Sequence, residues 1–241
     1  MSHLLIFCEG TTDQIFIGHC LSTFWDLPLK KEVNKKDKVI TSLKIGDSCE
    51  IIGIGGCSKL KDPIYLNRLR DNTEEGGTNI VVFDADFSIE GEGEKQGNGN
   101  NGYNSAKQKL EDIRSNHEVA FDYYLWHNNA SDGEIEHLLY QLIPQEKKIV
   151  MDCIETHHKC LVSTNIPEIK HADLKTRLSY SIYTMNYKSE PYLRDYGIKE
   201  LWDLDCEKSE DLLKFRTFLN KYAPEDRLCI LNQIERSEIA G

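Results

Sequence analysis

Two short runs in this chain are apolar without a break. They are Leu4–Cys8 in "LLIFCEGTTDQIF" and Ile80–Phe83 in "NIVVFDADF", and each stops on a carboxylate, Glu9 or Asp84. A strand that alternates apolar and polar residues keeps one face wet, whereas a strand apolar at every position needs cover on both faces. Chains meet that demand with a mainly parallel sheet flanked by helices, so these two runs point to an α/β fold.

The segments between and after the runs suit that arrangement. "GTTDQIFIGHCLSTF" predicts a helix, with Thr11 or Thr12 as cap, Asp13 in the first turn, and Ile15, Phe16, Cys20 and Phe24 recurring near helical spacing. "KKEVNKKDK" (30–38) reads as a solvated basic turn, and Glu50–Ile54 as a second short strand running into a Gly-Gly turn. A helix is expected across "LKDPIYLNRLRD", its start displaced by Pro63. "NIVVFDAD" is the third strand. Residues 88–102, rich in Gly, Asn and Glu, read as a mobile loop. "YNSAKQKLEDIRSN" is helical and "AFDYYLWH" is a fourth strand. "SDGEIEHLLYQLI" opens another helix, with Ser131 as cap and Glu134 in a capping-box position. Beyond Pro144 the segments read as helices without strands. The expected division is therefore an α/β domain over 1–145 and a helical extension over 146–241 packed on it.

A net charge of −11 argues against a general nucleic-acid binder, yet a carboxylate site for divalent cations is acidic until the cation arrives. The eight cysteines form no CxxC pair and read as free, mostly buried thiols. The first apolar run breaks at Glu9 and no run approaches bilayer length, so a cytoplasmic protein is expected, with no membrane partner.

In an open parallel sheet, ligands bind beyond the carboxyl ends of the strands. Glu9 follows the first strand, Asp84 and Asp86 close the third, and Asp132, Glu134 and Glu136 follow the fourth; Asp13 lies one helical turn past Glu9. Any one acid after a strand is normally a cap or turn residue. Several at neighbouring strand ends repel one another, and something must offset that cost. All-oxygen surroundings suit Mg²⁺ or Mn²⁺ rather than zinc, and a pair of such ions can assist phosphodiester cleavage.

The motifs "IFCEGTTDQIF", "IIGIGGCSKL", "VVFDADF" and "SDGEIEHLL" together resemble the Toprim domain of topoisomerases, primases and OLD-family nucleases over Leu4 to about Pro144. The arrangement is closest to stand-alone Toprim-like proteins related to the OLD group. The resemblance implies a Toprim-like (Rossmann-like) sheet and a metal-dependent nuclease acting on nucleic acid, DNA more than RNA, in defence or DNA processing. It makes Glu9 a metal ligand or general acid/base, Asp84 and Asp86 metal-binding aspartates, and Asp13 the acidic position one turn on. Glu134 or Glu136 stands for the later acid. No GxxxxGK[ST] occurs, so any ATPase partner would be a separate protein. Lys59, Lys95 and Lys107 are candidates for the basic residue beside the phosphate, and no topoisomerase-type tyrosine can be assigned.

Other readings stand beside this one. The fold could be kept without catalysis, as a metal- or nucleic-acid-binding or regulatory module. "VVFDADFS" is also similar to the nucleophile motif of haloacid-dehalogenase-type phosphatases, with Asp84 phosphorylated, although that motif belongs on a first strand. Cys153, His157 and Cys160 share one helical face and could begin a zinc site, or be an apolar stripe with a buried histidine. Tyr180, Tyr183, Tyr187, Tyr192, Tyr196 and Trp202, near Lys175, Arg177, Lys188 and Arg194, could stack on single-stranded bases. The alternative is that they pack the extension or form a homodimer face.

Overall fold

The computed structural model describes residues 3–33, 40–88, 101–169, 171–186 and 196–224. Six strands form one sheet: β1 (Leu4–Cys8), β2 (Leu29–Val33), β3 (Ile40–Ile45), β4 (Cys49–Gly53), β5 (Thr78–Asp84) and β6 (Asp122–Trp126), in the order β2-β3-β4-β1-β5-β6. β4, β1, β5 and β6 run parallel, and β2 and β3 add an antiparallel edge. Seven helices lie among the described residues: α1 (Thr11–Trp25), α2 (Pro63–Glu74), α3 (Tyr103–His117), α4 (Ile135–Gln141), α5 (Lys148–Ser163), α6 (Leu174–Met185) and α7 (Glu210–Asn220). None is long and apolar enough to cross a membrane.

The unbroken apolar runs are buried on both faces, as their sequence demands. Leu5, Phe7, Val81 and Phe83 pack against Leu66 and Leu69 of α2 and Leu110 and Ile113 of α3. Leu4, Ile6, Ile80 and Val82 pack on the other face, under α1 and the helices after residue 145. β1 pairs with β5 directly, Cys8 opposite Val82, so the acids that follow the two strands are neighbours.

α1 is buried nearly all round, which is what a helix enclosed on both sides requires. On one side lies the sheet, approached closely at Gly18, where a Cβ would come within 3.0 Å of Leu43 and 3.1 Å of Leu29. On the other side lies an aromatic lattice built around Phe215 of α7. The Phe215 ring sits 4.6 Å from Trp126, 4.9 Å from Tyr124 and 6.4 Å from Phe16. The helices beyond residue 145 thus share one hydrophobic core with the sheet.

Four expectations need correction. Residues 29–33 of the basic stretch form an edge strand rather than a turn, so the sheet has six strands instead of four; residues 34–39 lie outside the described part. β2 exposes Lys30, Lys31 and Glu32, and charge on an edge strand discourages pairing with other chains. α1 is capped by Gly10 rather than a threonine, with Gln14 N–H donating to the Gly10 carbonyl at 2.9 Å. α4 starts four residues later than Ser131, with Glu134 at its N-cap. Ser131 instead donates to Asn128 Oδ1 in the preceding loop. Cys153, His157 and Cys160 all face solvent on α5, and no three His, Cys, Asp or Glu side chains among the described residues are placed to hold one ion.

Truncating Phe215 to alanine should cost about 3–5 kcal/mol, the range for deleting a buried aromatic ring. In urea unfolding the variant should still show a single transition, since the extension and the sheet share a core. Two separated transitions would show that they unfold independently.

Candidate functional site

The site lies beyond the carboxyl ends of β1 and β5 and is made by three turns. At the first, Cys8 gives way to Glu9 and Gly10, and α1 begins at once. Gly10 has an extended backbone (φ −148°) that any residue can adopt, so its place at the turn is not a demand for left-handed geometry. The glycine requirement sits across from it, at Gly53, where a Cβ would lie 3.2 Å from the Gly10 carbonyl carbon and 3.3 Å from its oxygen. The Gly55–Gly56 turn that follows has φ of 86° and 108°, and Gly55 N–H donates to the Glu9 carbonyl at 2.7 Å. β4 is thereby locked against the backbone that carries Glu9.

Asp13, in the first turn of α1, is 6 % exposed and has both carboxylate oxygens engaged. Oδ2 accepts from Gly10 N–H at 3.3 Å, and Oδ1 accepts from the Trp126 indole N–H at 2.9 Å. That second bond ties the end of β6 to the start of α1. Asp84 ends β5, and its Oδ1 accepts from the backbone N–H of Ile135, the first residue of α4, at 2.9 Å.

Asp86 stands apart from Asp84. Its φ is 58°, and it exchanges two backbone hydrogen bonds with Gly133, each 2.9 Å. This left-handed residue turns the chain, and the Asp86 carboxylate acts on the half-buried Cys57 thiol, as Glu9 does. Asp132 is spent on structure. It accepts from Ser88 N–H at 2.9 Å and from Tyr103 N–H at 2.7 Å, and so holds both ends of the segment read as a loop. Residues 89–100 of that segment, Lys95 included, lie outside the described part.

The electrostatics separate the acids that belong together from those that do not. Asp13 is pushed up to about 7, first by burial, then by the Glu9 charge, with Glu136 adding to it; the bond from Trp126 pulls the other way. Asp84 is held well above the ordinary carboxylate range by burial, then by the charges of Asp13, Glu9 and Glu136, against the pull of the Ile135 N–H. Glu9, Asp13, Asp84 and Glu136 therefore form one repelling group. Of the two later acids, Glu136 is the one that acts on it, while Glu134 serves as the N-cap of α4.

Two cations border the group. Lys175 of α6 lies 3.3 Å from the buried Glu136 carboxylate, and Lys109 of α3 acts on Cys57 beside Glu9 and Asp86. Lys59 points instead to Asp62, 3.9 Å away, and Lys107 is exposed on α3. Sequence reading missed Lys109, the Trp126 donor and the Ile135 amide. Lys109 had no motif to mark it, and the other two depend on the pairing of β5 with β6. The aromatic set of the extension divides: Tyr196 and Trp202 are buried, Tyr180 and Tyr183 are exposed on α6, and Tyr187, Tyr192, Lys188 and Arg194 lie outside the described residues.

The donor set is all oxygen, and its mutual repulsion is what a hard divalent cation would relieve. The four acids suit such an ion chemically, although their side chains would have to turn toward a common point. A scan against protein-family models and searches of curated proteins and of solved structures each find no match.

The upward shifts fix the sign of the pH dependence. With folded-state values raised above the ordinary 3.8, the folded chain holds protons that the unfolded chain has already released, so stability falls as pH rises toward about 7. Metal-free protein should lose stability between about pH 4 and pH 7, on the order of a few kcal/mol. Asp84→Asn keeps an acceptor for the Ile135 N–H and should flatten the profile. Urea midpoints across that pH range would check this, and an unchanged slope in the variant would show that Asp84 is not part of the repelling group.

Proposed function

We propose that this chain is a Toprim-like, Mg²⁺- or Mn²⁺-dependent phosphodiester hydrolase acting on nucleic acid, DNA before RNA, in defence or DNA processing. The observation that carries the reading is the gathering of Glu9, Asp13, Asp84 and Glu136 beyond the carboxyl ends of a parallel sheet, with Asp13 and Asp84 raised by burial and then by like charge. A fold that spends stability on carboxylates that repel one another suits a cationic ligand.

The roles follow from position. Asp84 and Glu136 would hold the ions, with Asp86, two residues on, as the ligand that the resemblance adds. Bound there, the ions would supply Lewis-acid activation of the phosphate and of a water. Asp13 is a positioning residue, because its oxygens already bind Gly10 and Trp126 and so set the direction of the Glu9 turn. Glu9, half-buried at the mouth, is the carboxylate placed to take a proton from the attacking water. Lys175, 3.3 Å from Glu136, is the cation that would steer the phosphate backbone.

The phosphatase reading fits less well. Its nucleophile motif belongs on a first strand, whereas Asp84 ends β5. The non-catalytic module keeps one observation in its favour, the engagement of both Asp13 oxygens within the fold.

Purified protein should nick plasmid or single-stranded DNA in Mn²⁺, and Asp84→Asn and Glu9→Gln should each cut the rate by about 100-fold or more. Mn²⁺ should also raise the melting temperature of the wild type and much less that of Asp84→Asn. Equal traces of cleavage in wild type and variants would mark a contaminant and sink the hydrolase reading. Metal-induced stabilisation without turnover would favour the module.

A further inference from the structure

α5 is held to the molecule by one side. Met151 is its one buried residue, the Glu155 carboxylate accepts from Arg177 Nε of α6 at 2.6 Å, and His158 lies 3.5 Å from the same guanidinium. At 3.6 residues per turn, positions 151, 155 and 158 mark the inner face of the helix. The outer face, half a turn away, carries Ile149, Cys153, Thr156, Cys160 and Ser163, all exposed, with Ile149 at 65 %.

That outer face has a pattern that contact with water does not require. Ile149, Thr156 and Ser163 recur one heptad apart, and Cys153 and Cys160 fill the alternate positions, which is the spacing with which one helix packs on another. Isoleucine and cysteine are among the side chains most often buried. The two hydroxyls tolerate burial, because Thr156 Oγ1 donates to the Asp152 carbonyl and Ser163 Oγ to the Cys160 carbonyl, each at 2.7 Å.

The charges beside this seam choose the partner. One flank carries Asp152 and Lys159, again one heptad apart, both exposed and of opposite sign. When two such helices pair antiparallel, the same flank of each meets the other end to end, so Asp152 of each copy faces Lys159 of the other. A parallel pair would set Asp152 near His157 and Lys159 near Thr164, and would lose both ion pairs.

We propose that the outer face of α5 binds a second copy of this chain, the two helices running antiparallel across a two-fold axis near Thr156. The face is self-complementary in charge, as a two-fold interface must be. A seam of about 24 Å by 10 Å is smaller than a permanent interface, so the dimer belongs to the weak, micromolar class. The pairing leaves Glu155 and Arg177 in place on the inner face and does not depend on the hydrolase reading.

Sedimentation equilibrium of the full chain over about 10–300 µM, in reductant and low salt, should show a monomer–dimer equilibrium. Asp152→Lys sets like charges face to face at both ends of the seam and should weaken the dimer about tenfold or more. Asp152→Lys combined with Lys159→Asp should restore the wild-type affinity to within about threefold. Thr156→Lys, which places two ammonium groups at the axis, should leave a monomer. All three positions are exposed, so the melting temperatures of the dilute variants should match that of the wild type. A wild type that stays monomeric over the whole range overturns the pairing. So does a dimer indifferent to Asp152→Lys or to Thr156→Lys, and so does a double variant that stays as weak as Asp152→Lys.

Discussion

The structure depends on the burial of β1 and β5 on both faces. Leu4–Cys8 and Ile80–Phe83 have no polar side chain to give to water, so each run must sit between two layers of helix. Parallel strands place their carboxyl ends at one edge, and the turns into α1 and toward α4 leave the chain at that edge. The acids meet there because the strands are neighbours and end together. The core and the candidate site are therefore consequences of the same pairing, Cys8 beside Val82.

That edge would be a poor place for four carboxylates if the fold did not hold them. Two neutral donors do part of the work: the Trp126 indole on Asp13 and the Ile135 amide on Asp84. Neither carries a full charge, so each orients its acid without cancelling it. Both aspartates are raised, first by their burial and then by the repulsion left over. A lysine in either position would have quenched the group into an ordinary buried ion pair. The lysines present lie at its margins: Lys175 is paired with Glu136, and Lys109 acts on Cys57.

The legible parts of the sequence are those where a physical demand is local. The unbroken apolar runs announced β1 and β5, and the change of pattern near Pro144 announced the helices. The edge hairpin was hidden because its signal is weak. Lys30, Lys31 and Glu32 look like a solvated turn, and the residues that bury β3, Leu43 and Ile45, matter only once α1 lies across them at Gly18. The helix starts were misplaced for a similar reason. Thr11 and Ser131 are good caps by type, but the fold met the needs of α1 with Gly10 and Asp13, and those of α4 with Glu134 and an aspartate from another strand. Glu134 and Glu136 differ by two residues on a short helix, and only the direction in which that helix leaves Asp84 sets their roles apart.

The extension bears on the site more directly than its separate sequence pattern suggests. α1 is buried nearly all round, so it is not the outermost layer. The α7 lattice around Phe215 covers it, and α6 then runs alongside α4, bringing Lys175 to Glu136. An α/β half alone would expose Phe16 and Trp126 and would leave the indole that binds Asp13 open to water. In water that hydrogen bond would compete with solvent and the Glu9 turn would lose its brace. The helices after residue 145 thus set the dielectric in which the carboxylates interact, and with it how strongly they repel one another.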